Sequence, residues 1–417
     1  MIAVFLVDNT SEGAFESFFF EKFCGITAFI RDCYTLRKKA NVEEVMLLTK
    51  EKEKAEKAVA FSSSYLRGVN LRVVGSFKEV VETSKKEPIL FCDAVVFDES
   101  TINLLLEVRA PITTCLANFS SSKNSNSSFS SGLIYIASDQ LKSLRSFFNE
   151  ESSVSFCELF TTIKDRGMSF VDVSSDSFYS VNLKRTLTPF VFKVNSKDDL
   201  KSCKKALLER GQKGIHFTSR VNKRVEDFLS FYLVEVSHIT PNVVTIVTNL
   251  LAYVVAALFL LNNFLLGLVL AFLVSITDGL DGKIARLRGT SSKVGELEHS
   301  FDTLYEEVWY ASFSLAVFSV TGDFSNVILG LLIIILNSFI KHLYMQFKAS
   351  IGVPLTTYSR TDRIFAVVDG RRNVYLLYFL LGFVVKNMQL SLILSFVHSA
   401  ITALFYSISA IRHLRKL

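Results

Sequence analysis

Cysteine is missing from the second half of the chain. All six, Cys24, Cys33, Cys92, Cys115, Cys157 and Cys203, lie in the first half, and no two form a C-x-x-C pair. That distribution indicates neither a zinc site nor a disulfide framework and leaves reduced thiols packed in a core. His238, His342 and His398 have no paired spacing that suits a metal, so they read as structural. The first residues, Met1 to Asp8, have no basic segment and meet an acid after a short apolar run, so they read as a first buried strand rather than a signal peptide. Net charge is only +6 and partly flanks apolar runs, which suits an anionic membrane leaflet and not a nucleic-acid groove.

What the chain does hold is segregated. Half of the residues are hydrophobic and 21% are charged, with a mean hydropathy of +0.35. Neither a wholly soluble nor a wholly membrane chain usually shows that mixture. Lys, Glu, Asp and Ser are frequent in residues 1–230, whereas nearly all long apolar runs lie in 240–410. The expected architecture is an α/β, Rossmann-like layered cytoplasmic domain followed by an all-α polytopic membrane domain. Residues 2–7, 44–49, 71–74, 94–97 and 132–137 read as strands, and 21–40 and 50–59 as the helices of parallel βαβ units. The Ser/Asn-rich tract 120–131 has no apolar pattern and reads as an exposed loop.

Near the junction, 198–212 reads as a charged helix and 220–233 as an amphipathic helix with a basic start, the kind that lies on a bilayer surface. About six membrane helices are then expected, a span taking roughly 17 to 25 residues, over 241–261, 264–286, 295–320, 326–347, the shorter 373–385, and 389–412. Lys386 is the only basic residue in the loops on one side, whereas Arg220, Lys283, Arg286, Arg288, Arg360, Arg371, Arg372 and Arg412 fall on the other. The basic side is therefore read as cytoplasmic, with both termini on it.

The most informative stretch directly continues the apolar run 264–277: Asp278-Gly-Leu-Asp-Gly-Lys-Ile-Ala-Arg, then Gly295-Glu-Leu-Glu-His-Ser-Phe-Asp. Carboxylates beside hydrocarbon are costly unless they face a wet cavity, a metal or a cation. On a helix Asp278, Asp281 and Ala285 share one face, and Glu298 and Asp302 repeat the arrangement at a spacing of four. Oxygen ligands on one face suit Mg²⁺ or Mn²⁺, and Gly282 lets a ligand approach the backbone closely. The alternative is a buried ion-pair network that only holds helices together.

This stretch resembles the CDP-alcohol phosphatidyltransferase family, whose signature is D-x2-D-G-x2-A-R-x8-G-x3-D-x3-D. Asp278, Asp281, Gly282, Ala285, Arg286 and Gly295 fit it position by position. The third and fourth acids of the pattern would fall on His299 and Thr303, but Glu298 and Asp302 stand one position earlier. A single-residue deletion absorbed by a helix irregularity would place Glu298 on the metal and make Asp302 the base. Alternatively His299 binds the metal and Asp302 adapts, or the site is inactive. The resemblance implies metal binding by Asp278, Asp281, Glu298 and Asp302, catalysis through Asp302, His299 and Arg286, and binding positions at Asn242, Thr245, Gly282, Ala285, Gly295, Arg371 and Arg372. It further implies a CDP-alcohol donor, an alcohol acceptor (a lipid or a polyol phosphate), membrane lipids as surroundings and a homodimer.

The first half resembles the sugar-phosphate nucleotidyltransferases, especially those fused to di-myo-inositol phosphate phosphate synthase domains, through residues 22–32 (KFCGITAFIRD), 41–49 (NVEEVMLLT), 132–136 (GLIYI) and 194–200 (VNSKDDL). The Gly-rich basic loop expected after the first strand is replaced by Asp8-Asn-Thr-Ser-Glu-Gly, whose acids would repel a triphosphate. Asp93 is a match for the first metal-binding acid of that family, but Asn195 stands where the second belongs. The expectation is a degenerate, non-catalytic domain over 1–212, an interfacial linker over 213–239 and a transferase over 240–417, working in phospholipid or inositol-phosphodiester synthesis. Competing readings are a bifunctional enzyme that also makes the CDP-alcohol from CTP, and a membrane transporter or scaffold.

Overall fold

The computed structural model describes residues 1–7, 11–84, 87–108, 110–117, 129–145, 154–164, 169–172, 177–180, 185–212, 217–290 and 298–416. The first strand, Ile2–Leu6, is buried along its whole length and pairs in parallel with Glu44–Leu48 on one side and Ile89–Cys92 on the other. Apolar strands of this kind need cover on both faces. Ala3 and Phe5 enter one core with Phe18, Phe29, Cys33 and Leu36. Ile2, Val4 and Leu6 enter the opposite core with Phe77, Phe91, Leu141 and Leu159, the period-two alternation of a strand.

The seven-stranded sheet runs in the order Asn70–Val74, Glu44–Leu48, Ile2–Leu6, Ile89–Cys92, Phe129–Ile136, Ile112–Ala117, Ser169–Asp172. Phe129–Ile136 is antiparallel to both of its neighbours. The central strand Ile89–Cys92 was not among the expected ones, because four apolar residues after Pro88 make too short a run to stand out. The 94–97 run leaves the main sheet, and Val95–Phe97 pairs antiparallel with Val191–Lys193. The Ser/Asn-rich tract falls largely outside the described residues.

The helix expected over 21–40 begins at Ala28. Thr27 caps it, with Oγ1 accepting from the Ile30 N–H at 3.3 Å. Before the cap the chain turns through left-handed conformations at Cys24 (φ 57°) and Gly25 (φ 84°). Phe23 and Cys24 stay in the same core as the helix, so the apolar pattern runs on through a turn. Glycine is needed at this turn, since a Cβ on Gly25 would collide with the Val234 carbonyl and lie 2.8 Å from Arg288 Nη2.

Helix Lys197–Arg210, capped by Ser196, is followed by helix Phe217–Leu233. On the latter Val225, Phe228 and Tyr232 are exposed and Glu226 is buried, so its apolar stripe faces outward and its acids face the protein. The apolar helices are Pro241–Leu260, Phe264–Thr277 continued by Leu280–Arg288, Glu298–Thr321, Ser325–Ile351, Arg372–Val384 and Met388–Leu414. Among the described residues, Pro241–Leu260, Phe264–Arg288, Ser325–Ile351 and Met388–Leu414 are four helices long and apolar enough to cross a membrane, which marks an integral membrane protein. Their outward residues, such as Leu250, Ile335 and Leu404, are apolar and exposed, as a lipid-facing surface requires. Inward, Phe313 and Phe379 stack at 3.9 Å and Trp309 Nε1 donates to the Ala252 carbonyl at 2.6 Å.

Candidate active site

The helix expected over 264–286 breaks at the start of the signature. Phe264–Thr277 ends with Asp278 as its cap, and Leu280–Arg288 starts after Gly279. The Asp278 N–H bonds to the Val274 carbonyl, but the Gly279 N–H bonds to the Ile276 carbonyl at 3.2 Å, the tighter step of a 3₁₀ turn. The two acids consequently have different neighbours. Asp281 is buried; its Oδ2 accepts from the Thr245 hydroxyl at 2.8 Å and its Oδ1 from the Gly282 N–H at 2.5 Å. Thr245 is thus beside the signature, whereas Asn242, one turn earlier, is exposed.

Asp278 meets a different set of partners. Its Oδ1 accepts from the Tyr305 hydroxyl at 3.2 Å and its Oδ2 from Arg372 Nη2 at 2.7 Å. Arg372 also bonds the Tyr305 hydroxyl and lies 3.5 Å from Glu306 Oε1. Glu306 pairs with Lys341, whose ammonium donates to Thr303 at 3.1 Å. Asp278, Arg372, Glu306 and Lys341 therefore alternate in charge across four helices, the only economical way to keep such groups away from water.

That series borders a cavity of about 410 Å³ lined by Glu306, Lys341, Lys348, Arg371 and Arg372 among others. Arg371 is held bidentately, its Nε and Nη2 donating to the two oxygens of buried Asp369 at 2.5 and 2.7 Å. The Tyr406 and Tyr344 hydroxyls donate to the same carboxylate at 3.0 and 3.3 Å. Arg360 and Arg363 are exposed instead. Tyr305, Glu306 and Lys341 escaped the sequence reading, and Lys348 counted there only toward the basic side, although Lys341 and Glu306 sit inside expected membrane helices, where a charge is a functional signal by default.

Gly282 has Arg286 folded over it: a Cβ there would lie 2.9 Å from Arg286 Nη1. Arg286 Nε donates to the Gly211 carbonyl at 3.1 Å, and Ala285 is half-buried on the same helix. Asp302 is half-buried in the first turns of Glu298–Thr321. Gly295 lies outside the described residues, as do the side chains of Glu298 and His299. Among the described residues, no group of three or more His, Cys, Asp or Glu converges to hold a metal ion. Asp278 and Asp281 do offer the oxygen-only donors that suit a hard divalent cation, and Asp278 already stands against positive charge.

In the first half, Asp93 is paired with Lys193 at 3.3 Å, and the Asn195 N–H donates to Asp199. Asp8, Asn9 and Thr10 of the expected phosphate loop lie outside the described residues.

The chain is 33% identical over 135 residues to the bifunctional IPC transferase and DIPP synthase of Thermococcus kodakarensis, which covers 28% of this chain and 31% of that relative. The match thus spans under a third of the curated relative's length. The solved phosphatidylinositol phosphate synthase of Mycobacterium tuberculosis with CDP-DAG bound matches at 21% identity and TM-score 0.35, over 46% of this chain and 94% of its own. The bifunctional IspDF of Campylobacter jejuni matches at 14% identity and TM-score 0.33, over 48% of this chain and 53% of its own. Residues 238–405 match the CDP-alcohol phosphatidyltransferase family. The second half of the chain accordingly carries a CDP-alcohol phosphatidyltransferase domain, of a family that uses CDP-alcohol donors and alcohol acceptors and generally depends on a divalent metal.

Proposed function

We propose that the membrane half moves a phosphoalcohol from a CDP-alcohol to an acceptor hydroxyl and releases CMP. The observation that carries this reading is the pair Asp278 and Asp281 at a broken helix, the first bonded to Arg372 of a cavity lined by cations, within the segment that matches the family. Asp278, Asp281 and Glu298 would hold Mg²⁺ or Mn²⁺, with Asp302 completing the set. When bound, the metal would offset the charge of the donor's diphosphate. The acceptor oxygen attacks the phosphorus that bears the alcohol, the bond from that phosphorus to the bridging oxygen breaks, and CMP leaves with the electron pair. Asp302 takes the hydroxyl proton; in the alternative His299 would join the metal ligands and Asp302 adapt. In this reading Arg286 would face phosphate charge, Asn242 and Thr245 would contact the nucleotide, and Gly282, Ala285 and Gly295 would belong to its binding positions. Arg371 and Arg372, joined by Lys341 and Lys348, bind an anionic group of the acceptor.

In the same reading residues 1–212 are a nucleotidyltransferase-like module without its chemistry, 213–239 an interfacial linker and 240–417 the transferase. The Asp93–Lys193 pair supports this, because an ammonium takes the place beside the carboxylate that a catalytic metal would need. We read both termini as cytoplasmic, a reading the basic residues on that side support, and the assembly as a homodimer, as the family resemblance implies. The test is Mg²⁺- or Mn²⁺-dependent CMP release from CDP-diacylglycerol, CDP-inositol and CDP-glycerol with mixed acceptors. Wild type is expected to release CMP with one donor, and Asp278→Asn and Asp302→Asn to abolish it. No release with any donor, together with no cytidine-nucleotide binding, sinks the reading.

A further inference from the structure

The first half grips the signature helix. Leu280, Ile284 and Leu287 are buried in the same core as Phe5, Phe29 and Leu36. Arg31, on helix Ala28–Ala40, is 3% exposed. Its Nε donates to the Leu287 carbonyl at 2.9 Å and its Nη1 to the Phe97 carbonyl at 2.7 Å, beside Asp32. In the other direction, Arg288 donates to the carbonyls of Cys24, Val234, Val236 and Ile239 at 2.7 to 3.0 Å. Lys283 is buried between Glu226 at 2.9 Å and Asp227 at 2.7 Å, and Arg286 reaches Gly211.

Leu280–Arg288 has nine residues, fewer than a helix needs to hold itself in water, and the break at Asp278–Gly279 uncouples it from the preceding helix. Its direction therefore comes from packing. The last carbonyls of a helix have no partner within it, and for Leu287 that partner is an arginine supplied by the other half. Asp281 stands in the first turn of this helix and Arg286 near its end, so a change in its tilt displaces both.

We propose that the α/β half is the cradle that orients the signature helix, with Arg31 as a positioning residue for transfer. The inference rests on the transferase reading above. Nucleotidyl transfer would then not be the task of the α/β fold, whose contribution is mechanical: it presents Asp281 and Arg286 in one fixed geometry.

The test uses the full-length protein in detergent micelles with Mn²⁺. Arg31→Lys keeps the charge beside Asp32, but one ammonium lacks the planar fork that reaches two carbonyls. It is expected to lower kcat for CMP release about 10-fold with donor KM within about twofold, since misplacing a reacting group costs rate more than binding. Amide exchange across 280–290 is expected to speed up about 10-fold while Pro241–Leu260 stays unchanged. Should Arg31→Lys fail to fold, Arg31→Gln combined with Asp32→Asn removes both buried charges and carries the same measurements. Unchanged exchange, or faster exchange with unchanged kcat, overturns the proposal. Faster exchange in a protein that releases no CMP with any donor sinks the transferase reading and, with it, the claim about turnover.

Discussion

Both halves bury arginine near aspartate, and they put it to different uses. In the α/β half Arg31 donates to Asp32 at 3.3 Å but directs its shorter bonds at two main-chain carbonyls. In the membrane half Arg372 donates to Asp278, faces Glu306 and lines a cavity. A guanidinium that satisfies carbonyls ties chain to chain, whereas one that meets carboxylates at a cavity can also meet a phosphate. The same contrast holds for the acids: Asp93 faces a single lysine, while Asp278 belongs to a series of four alternating charges. Thiols follow suit, since burial, with Glu235 nearby, pushes Cys24 up to about 12, so this cysteine at the junction serves packing.

The strongest way to break the comparison is to remove one acid from each half. Asp281→Asn is expected to lower kcat/KM for CMP release by roughly 1,000-fold, the scale of a lost group that stabilises reacting charge, with Asp93→Asn inside about twofold. Equal losses in the two variants would erase the distinction. Next comes Lys341→Met, which takes the ammonium from Glu306 and from the cavity. It should raise the KM for an anionic acceptor about 10-fold, as expected for one charge-assisted hydrogen bond, and leave donor KM alone. A rise in donor KM instead would assign the cavity to the nucleotide. The smallest effect is reserved for Thr245→Val, which removes one hydrogen bond to Asp281 and should cost about 1 kcal/mol of transition-state stabilisation, roughly fivefold in kcat/KM. No change would make that bond incidental.

Much of this was legible in the residues. The strands Ile2–Leu6 and Glu44–Leu48 were, because an apolar run is a local property that reports burial directly. Asp278, Asp281, Gly282, Ala285 and Arg286 were, because a motif is a spacing along one chain. The helix start at Ala28 was not: Phe23 and Cys24 keep the apolar pattern while Gly25 bends the backbone to clear Val234 and Arg288. Arg372 was read as an acceptor ligand, but its bond to Asp278 joins residues 94 positions apart. Glu306 and Lys341 are 35 apart, and no periodicity in either helix announces the other.

The sequence by itself determined the division into a polar α/β half and an apolar helical half, the approximate helices of the second, and the acidic signature that follows its second apolar run. Hydropathy and spacing are local, so they survive without a fold. Only the tertiary structure decided where the signature helix breaks, which cation meets which carboxylate, and that Arg31 and Arg288 lock the two halves together through main-chain carbonyls. Those choices depend on how elements far apart in the chain cross, and a carbonyl looks the same in every residue of a sequence.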